Sequence, residues 1–247
     1  MKSTGYEFID KTKYQYLNLS DQMKGVPPPD LQLPYSEDME SIPFPEWKKI
    51  NIMPDDIETI IDRRKSIRNY KQVNVSLPEL SYLLWCTQGV KKRISDIATI
   101  RTVPSAGARH ALETTLLVNR VEGLESGLYR YLGLDHQLAI LKKNKSVVDE
   151  IVKAGFDQNF IRYSAITFIW SAVIYRMKWR YGERAYRYIF LDAGHVAQNL
   201  YLSAEAIGCG VCAIAAFSDD DMNRILGLDG KEQFVIYMAT VGKKLED

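Results

Sequence analysis

"AITFIWSAVIY", residues 165–175, is the most apolar run in the chain. It is rich in β-branched and aromatic residues and shows no polar face. A strand covered on both sides reads this way, so the sequence predicts a sheet with a layer packed on each face. The run is too short to span a bilayer. Downstream, after "RMKWRYG", a long helix is expected over roughly 183–207. Tyr186, Ile189, Phe190, Ala193, Val196, Ala197, Leu200, Ala204 and Ile207 keep a three-then-four spacing, and Leu191 and Leu202 add apolar bulk off that stripe. Such a helix is central or forms a subunit interface. "VCAIAAF" reads as a strand, "SDDDMNRILGL" as a capped helix and "EQFVIYMATVG" as a closing strand.

Upstream, "ETTLLVNRV" reads as a strand and "GLYRYLGLDHQLAIL" as a hairpin, followed by a helix near 145–153. "SLPELSYLLWCTQG" is a helix with capping-box spacing between Ser76 and Glu79 and a stop at Gly89. "KKRISDIATIRTVPSAGARH" is expected to be a loop, and the first body helix runs from Ile57 to about Lys65. Helices and strands mix without a βαβ rhythm, so the fold class is α+β. Seven of the nine prolines lie before Ile57. Residues 1–53 therefore read as an extended arm, and 54–247 as the body. Leu31, Leu33, Phe44 and Trp47 make the arm too apolar for a free tail, so it should pack on the body or on a partner subunit.

Of the 247 residues, 46 % are apolar and 26 % charged, as in a soluble globular protein. With 32 basic and 31 acidic side chains there is no field to hold nucleic acid. The opening "MKSTGYEFID" lacks a signal-peptide core, and the protein reads as cytoplasmic. Three cysteines, Cys86, Cys209 and Cys212, suit a reduced compartment. No histidine pair has metal-binding spacing, so no metal is expected. "GCGVCA" fits G-x-G-x-x-A, but it follows a helix and opens a strand, the reverse of a dinucleotide fingerprint. Its two cysteines read as buried and structural. Asp192 and His195 read as a hydrogen-bonded pair on a helix surface, ahead of a catalytic dyad. "WRYGERAYRY" interleaves arginine with aromatics, as single-stranded nucleic acid binders do, but also as a plain helix pair does.

"RRKSIRNY", residues 63–70, has two readings. It is a charged helix end, suited to the negative pole of the helix dipole. Alternatively, Arg64, Ser66 and Arg68 converge on one phosphate, two by charge and one by hydroxyl.

The order of motifs decides. R-R-x-S-x-R-x-Y is followed by "SLPELSYLLWCTQG", "RTVPSAGARHALE", "GLYRY", "RYGERAYRYIFLDAGHVAQNLYLSAEAIGCG", "AAFSDDDMNRILGLDG" and a final "VGKK". From about Ile57 to Lys244 this resembles the FMN-dependent nitroreductase superfamily, in its SagB-type dehydrogenase branch. The resemblance implies a three-layer α/β/α sandwich with a mainly antiparallel central sheet, in a homodimer with FMN at the interface. It implies that Arg64, Lys65, Ser66 and Arg68, with Lys243 and Lys244, hold the FMN phosphate and ribityl chain. It places Pro104, Ser105, Ala106 and Gly107 against the flavin ring, commonly from the other subunit. Ala215 and Ala216 match the pair whose amides approach the ring edge. The implied activity is ping-pong hydride transfer from NADH or NADPH to a small nitroaromatic or quinone-like acceptor. Two alternatives stand beside it. One is azoline oxidation on a ribosomal peptide with a modifying partner. The other is a flavin-binding protein without turnover. Azoline-oxidising members carry Lys-Tyr where this chain has Arg180-Tyr181, and arginine does not act as a base. Tyr181 is then the surviving catalytic candidate, with Arg180 beside it.

Overall fold

The structure is a computed structural model and describes residues 3–36, 38–50 and 55–245. The 53/54 boundary between arm and body lies outside the described residues. The elements run α1 (Thr4–Lys11), β1 (Ser41–Pro43), α2 (Ile57–Arg63), α3 (Leu77–Gln88), β2 (Val90–Ser95), β3 (Ala98–Arg101), β4 (Leu112–Val118), β5 (Gly127–Leu132), β6 (Gln137–Lys142), α4 (Ser146–Ala154), α5 (Phe160–Tyr163), β7 (Ile166–Val173), α6 (Ile174–Tyr181), α7 (Ala185–Glu205), β8 (Cys209–Ile214), α8 (Asp219–Leu226) and β9 (Gln233–Lys243).

Among the described residues, seven strands form one sheet in the order β1-β6-β5-β4-β7-β9-β8. Every pairing within it is antiparallel. β7 is central and its side chains alternate between two cores, as the apolar run requires. Phe168 and Trp170 enter one core with Leu83 of α3, Met177 of α6 and Val196 of α7. Ile169 enters the other, with Ile151 of α4, Ile161 of α5 and Met222 of α8. This is the expected three-layer α/β/α sandwich. No described helix is long and apolar enough to cross a membrane.

Four expectations need correction. The segment expected as a loop after α3 contains the hairpin β2–β3. The apolar run stops being a strand at Val173, because Ile174 begins α6. The long helix is shorter than expected, Ala185–Glu205, and follows a 3-10 turn at Gly182–Arg184. The strand expected over 211–217 is Cys209–Ile214. The predicted capping box of α3 is present, with Ser76 and Glu79 each serving the other's backbone. Cys209 and Cys212 are free and buried.

The arm lies along the body. β1 is the sheet edge, pairing with β6. Trp47 stacks on Trp85 at 4.8 Å, and Phe44 lies 5.1 Å from the His136 ring. Residues 12–34 cross α6 and α7. Gln22 donates to the Trp179 carbonyl at 2.8 Å. Trp179 Nε1 donates to the Val26 carbonyl at 2.8 Å. Arg184 donates to the Thr12 carbonyl at 2.8 Å.

Candidate active site

The basic segment leaves α2 at Arg63 and lies flat on the β8–β9 edge. Ile67 N donates to the Val211 carbonyl at 2.8 Å, and Lys71 N to the Lys243 carbonyl at 2.9 Å. Two glycines permit this approach. A Cβ at Gly210 would sit 2.6 Å from Ile67 Cβ, and one at Gly242 would sit 2.8 Å from the Tyr70 ring. Tyr70 then bonds the Thr240 hydroxyl at 2.7 Å and donates to the Ile67 carbonyl at 2.6 Å. The backbone is thus pinned, and its alternate side chains face outward.

What they face is a cleft of about 660 Å³ lined by Arg63, Lys65, Ser66, Arg68, Lys244 and Glu205. Arg64 lies beside this cleft, its guanidinium 5.4 Å from the centre of the Tyr201 ring. The Tyr201 hydroxyl is 2.9 Å from Ser66 Oγ and accepts from Ala213 N at 2.9 Å. Arg68 lies over the Phe160 ring at 5.9 Å. The two terminal lysines diverge. Lys244 lines the cleft, paired with Glu205. Lys243 instead pairs with Glu79 and donates to the Ile207 carbonyl at 3.2 Å. Burial pushes the Glu79 carboxyl up, but Lys243 and the Ser76 amide outweigh it and hold it below its usual value.

A second cleft, of about 580 Å³ and mainly apolar, opens beyond the end of β8. Ala215 lines it with Phe190, Gly194, Phe217, Phe234 and Tyr237. Ala215 and Ala216 are both exposed, Ala216 outside that lining, and the Ala216 carbonyl accepts from Gln158 at 2.8 Å. Tyr201 lines neither cleft; it bonds Ser66 of the first and Ala213, two residues before Ala215 of the second.

Pro104, Ser105, Ala106 and Gly107 line neither cleft. They form a tight turn held by α7, where Ala106 N donates to Asp192 Oδ1 at 3.2 Å. Asp192 is therefore turned inward and buried, and among the described residues it makes no hydrogen bond to the exposed His195. The expected surface pair is replaced by a loop anchor. Burial pushes the Asp192 carboxyl up. Gly107 has φ +57°, and a Cβ there would sit 2.5 Å from the Tyr181 hydroxyl and 2.9 Å from Arg180 Cδ. The structure thus brings the turn together with both catalytic candidates. Arg109 joins them, donating to the Gly107 carbonyl at 3.2 Å and lying over Trp179 at 5.2 Å. Arg180 lies over the Tyr181 ring at 5.6 Å, and Tyr181 meets Tyr188 edge-on at 4.8 Å.

Tyr201, Glu205, Phe190 and Tyr237 went unread in the sequence as site residues. Tyr201 and Glu205 stand four apart on α7, at the edge of its apolar stripe. Two polar groups on one helix face, next to a basic segment, were the available signal.

The Nitroreductase family model matches residues 61–243. The chain belongs to the nitroreductase family. At that level it is an oxidoreductase of the flavin type. A protein of Methanocaldococcus jannaschii that carries the name nitroreductase is 33 % identical over 209 residues, 85 % of this chain and 99 % of that protein. The trifolitoxin-processing protein of Rhizobium leguminosarum bv. trifolii is 27 % identical over 133 residues, 52 % of this chain and 36 % of its own length. Among solved structures, a Ralstonia eutropha protein carrying the name nitroreductase superposes with TM-score 0.70 at 22 % identity, covering 86 % of this chain and 93 % of its own. A chain of the Escherichia coli microcin synthetase complex superposes with TM-score 0.61 at 18 % identity, covering 98 % of this chain and 87 % of its own.

Proposed function

We propose that this chain is an FMN-dependent oxidoreductase that transfers hydride by a ping-pong route. NADH or NADPH is the donor and a small nitroaromatic or quinone-like molecule the acceptor. The supporting observation is a cationic cleft and an apolar, aromatic one at the two ends of one short stretch, with Ser66 of the first bonded through Tyr201 to Ala213, two residues before Ala215 of the second. Their residues fit a phosphate at one end and a flat ring at the other. When bound, FMN supplies the two-electron carrier.

Arg64, Lys65, Ser66, Arg68 and Lys244 hold the phosphate and ribityl chain in this reading. Lys243 contributes indirectly, by neutralising Glu79. Ala215 and Ala216 present backbone to the ring edge, and Phe190 and Phe217 keep water from its face. The turn of Pro104, Ser105, Ala106 and Gly107 covers the ring of the partner subunit's site in a homodimer. Arg180 and Tyr181 arrive with it and face the acceptor. An arginine is a poor proton carrier, so a transferable proton comes from Tyr181 or water. Residues 1–53 serve as an arm on the FMN-binding body, 54–247.

The purified protein should be yellow and release about one FMN per chain on heating. It should also oxidise NADH or NADPH when a nitroarene or quinone is present. A colourless protein that takes up no added FMN removes the proposal. Bound FMN without turnover leaves a flavin carrier.

A second reading is supported by the trifolitoxin-processing relative and by the microcin synthetase chain, whose fold matches the arm as well as the body. In it the chain is a SagB-type dehydrogenase that oxidises azolines in a ribosomal peptide alongside a modifying partner. Loss of two hydrogens from an azoline peptide, read by mass spectrometry, would separate it from the first.

A further inference from the structure

A cleft built only to hold an anion has no use for a buried carboxylate, yet Glu205 lines the cationic cleft. Its side chain is 5 % exposed, and its partner is Lys244. Glu205 is also the last residue of α7, where the helix dipole adds negative charge. Two further cations of the cleft are engaged elsewhere: Arg63 with Asp55, and Arg68 over the Phe160 ring.

A desolvated carboxylate is costly unless paired. Lys244 therefore cannot move fully onto a phosphate without leaving Glu205 buried and alone. A phosphate entering the cleft and Glu205 compete for one ammonium group. We propose that Glu205 is a specificity residue of this cleft, a built-in counter-charge that holds Lys244 back from a bound phosphate and keeps the flavin exchangeable. The inference rests on the FMN reading above. It differs from that reading in predicting that part of the site works against retention.

The competition acts through the phosphate alone, so riboflavin, which has the same ring and ribityl chain without it, is the control. The apoprotein would be titrated with FMN and with riboflavin, following quenching of flavin fluorescence. Four forms are compared: wild type, Glu205→Gln, Lys244→Met and the double variant. Glu205→Gln should bind FMN about tenfold more tightly, as removal of one nearby like charge implies, with riboflavin affinity unmoved. Lys244→Met exposes the carboxylate to the phosphate and should weaken FMN binding by at least the same factor. The double variant should return close to wild type. Unchanged or weaker FMN binding by Glu205→Gln overturns the proposal, as does an equal shift for riboflavin. If Glu205→Gln does not fold, the double variant decides: affinity within about threefold of wild type supports the competition, and a loss as large as that of Lys244→Met refutes it. A wild-type protein that quenches neither flavin removes the FMN reading itself, and this inference with it.

Discussion

A side chain at position 107 would have nowhere to go. Gly107 combines a left-handed φ with the Tyr181 hydroxyl and the Arg180 stem packed against it. Gly107→Ala should lower stability by roughly 1 kcal/mol through backbone strain and push Tyr181 and Arg180 off the turn. Thermal melting and steady-state kinetics check this, and turnover should fall further than the melting point suggests. Nearby His110 is buried, and burial with the Arg101 charge pushes its imidazole down to about 3. Its folded value is depressed, so the unfolded chain takes up a proton first as pH falls. Its stabilising contribution is whole above about pH 6.5 and is lost toward pH 3, at about 1.4 kcal/mol per unit. Burial also pushes His136 down, so wild-type stability combines both groups. Denaturant melts of His110→Gln against wild type, from pH 7 to pH 4, should show a shallower loss in the variant. At this scale the sequence was partly legible. The types and spacing of Arg64, Ser66 and Arg68 suggest a phosphate site, and the structure puts Ser66 and Arg68 in one cationic cleft but leaves Arg64 out of its lining. Asp192 was misread because spacing alone does not say which way a helix face turns. On a helix packed on several sides, that residue points inward.

The elements that were misread share a cause. Strands β4 and β7 announce themselves because both faces are buried. Hairpin β2–β3 does not: in β2 Lys91, Lys92, Arg93 and Ile94 are all exposed, so no face is selected, and β3 buries polar Thr99 and Arg101 while exposing Ile100, the inverse of an apolar-in pattern. Helix α6 was hidden because Ile174 and Tyr175 continue the apolar run of β7, while the chain turns at Val173. That turn places Arg176 in the interior, where it forms a close ion pair with Glu113 at 2.7 Å. The pair anchors the middle stretch of the arm. Arg176 Nε donates to the Asp30 carbonyl at 2.8 Å, and Leu33 N donates to Glu113 at 2.9 Å. Arg101 adds a bond to the Leu31 carbonyl at 3.3 Å. Arg176→Met should leave a buried carboxylate without its cation and lower stability by about 3 kcal/mol in urea. Hydrogen exchange at the Leu33 amide should accelerate more than exchange in β7. Equal acceleration throughout would mean that the arm and the sheet open as one unit.

At the scale of the molecule, the candidate site residues fall in two separate places on the chain. The clefts around Tyr201 carry the cationic and aromatic groups. The turn at Gly107, with Arg180 and Tyr181, lines neither cleft. The proposed homodimer would resolve this, because an isologous interface would bring each group to the other's complement. α7 presents the apolar surface such an interface needs: Phe190 and Leu191 are 54 % and 61 % exposed in the protomer. Phe190 lines the apolar cleft and Leu191 does not, so Leu191 tests the interface apart from the cleft. Leu191→Glu costs an isolated protomer little, since the side chain already faces water. Across a twofold axis it would bury a carboxylate in each copy. Sedimentation velocity should then show a dimer for wild type and a monomer for Leu191→Glu, with the FMN complement lost alongside the dimer. A variant that stays dimeric and yellow would move the interface off this face of α7. A monomer that keeps its FMN would show that the clefts of a single chain hold the flavin without the partner's turn.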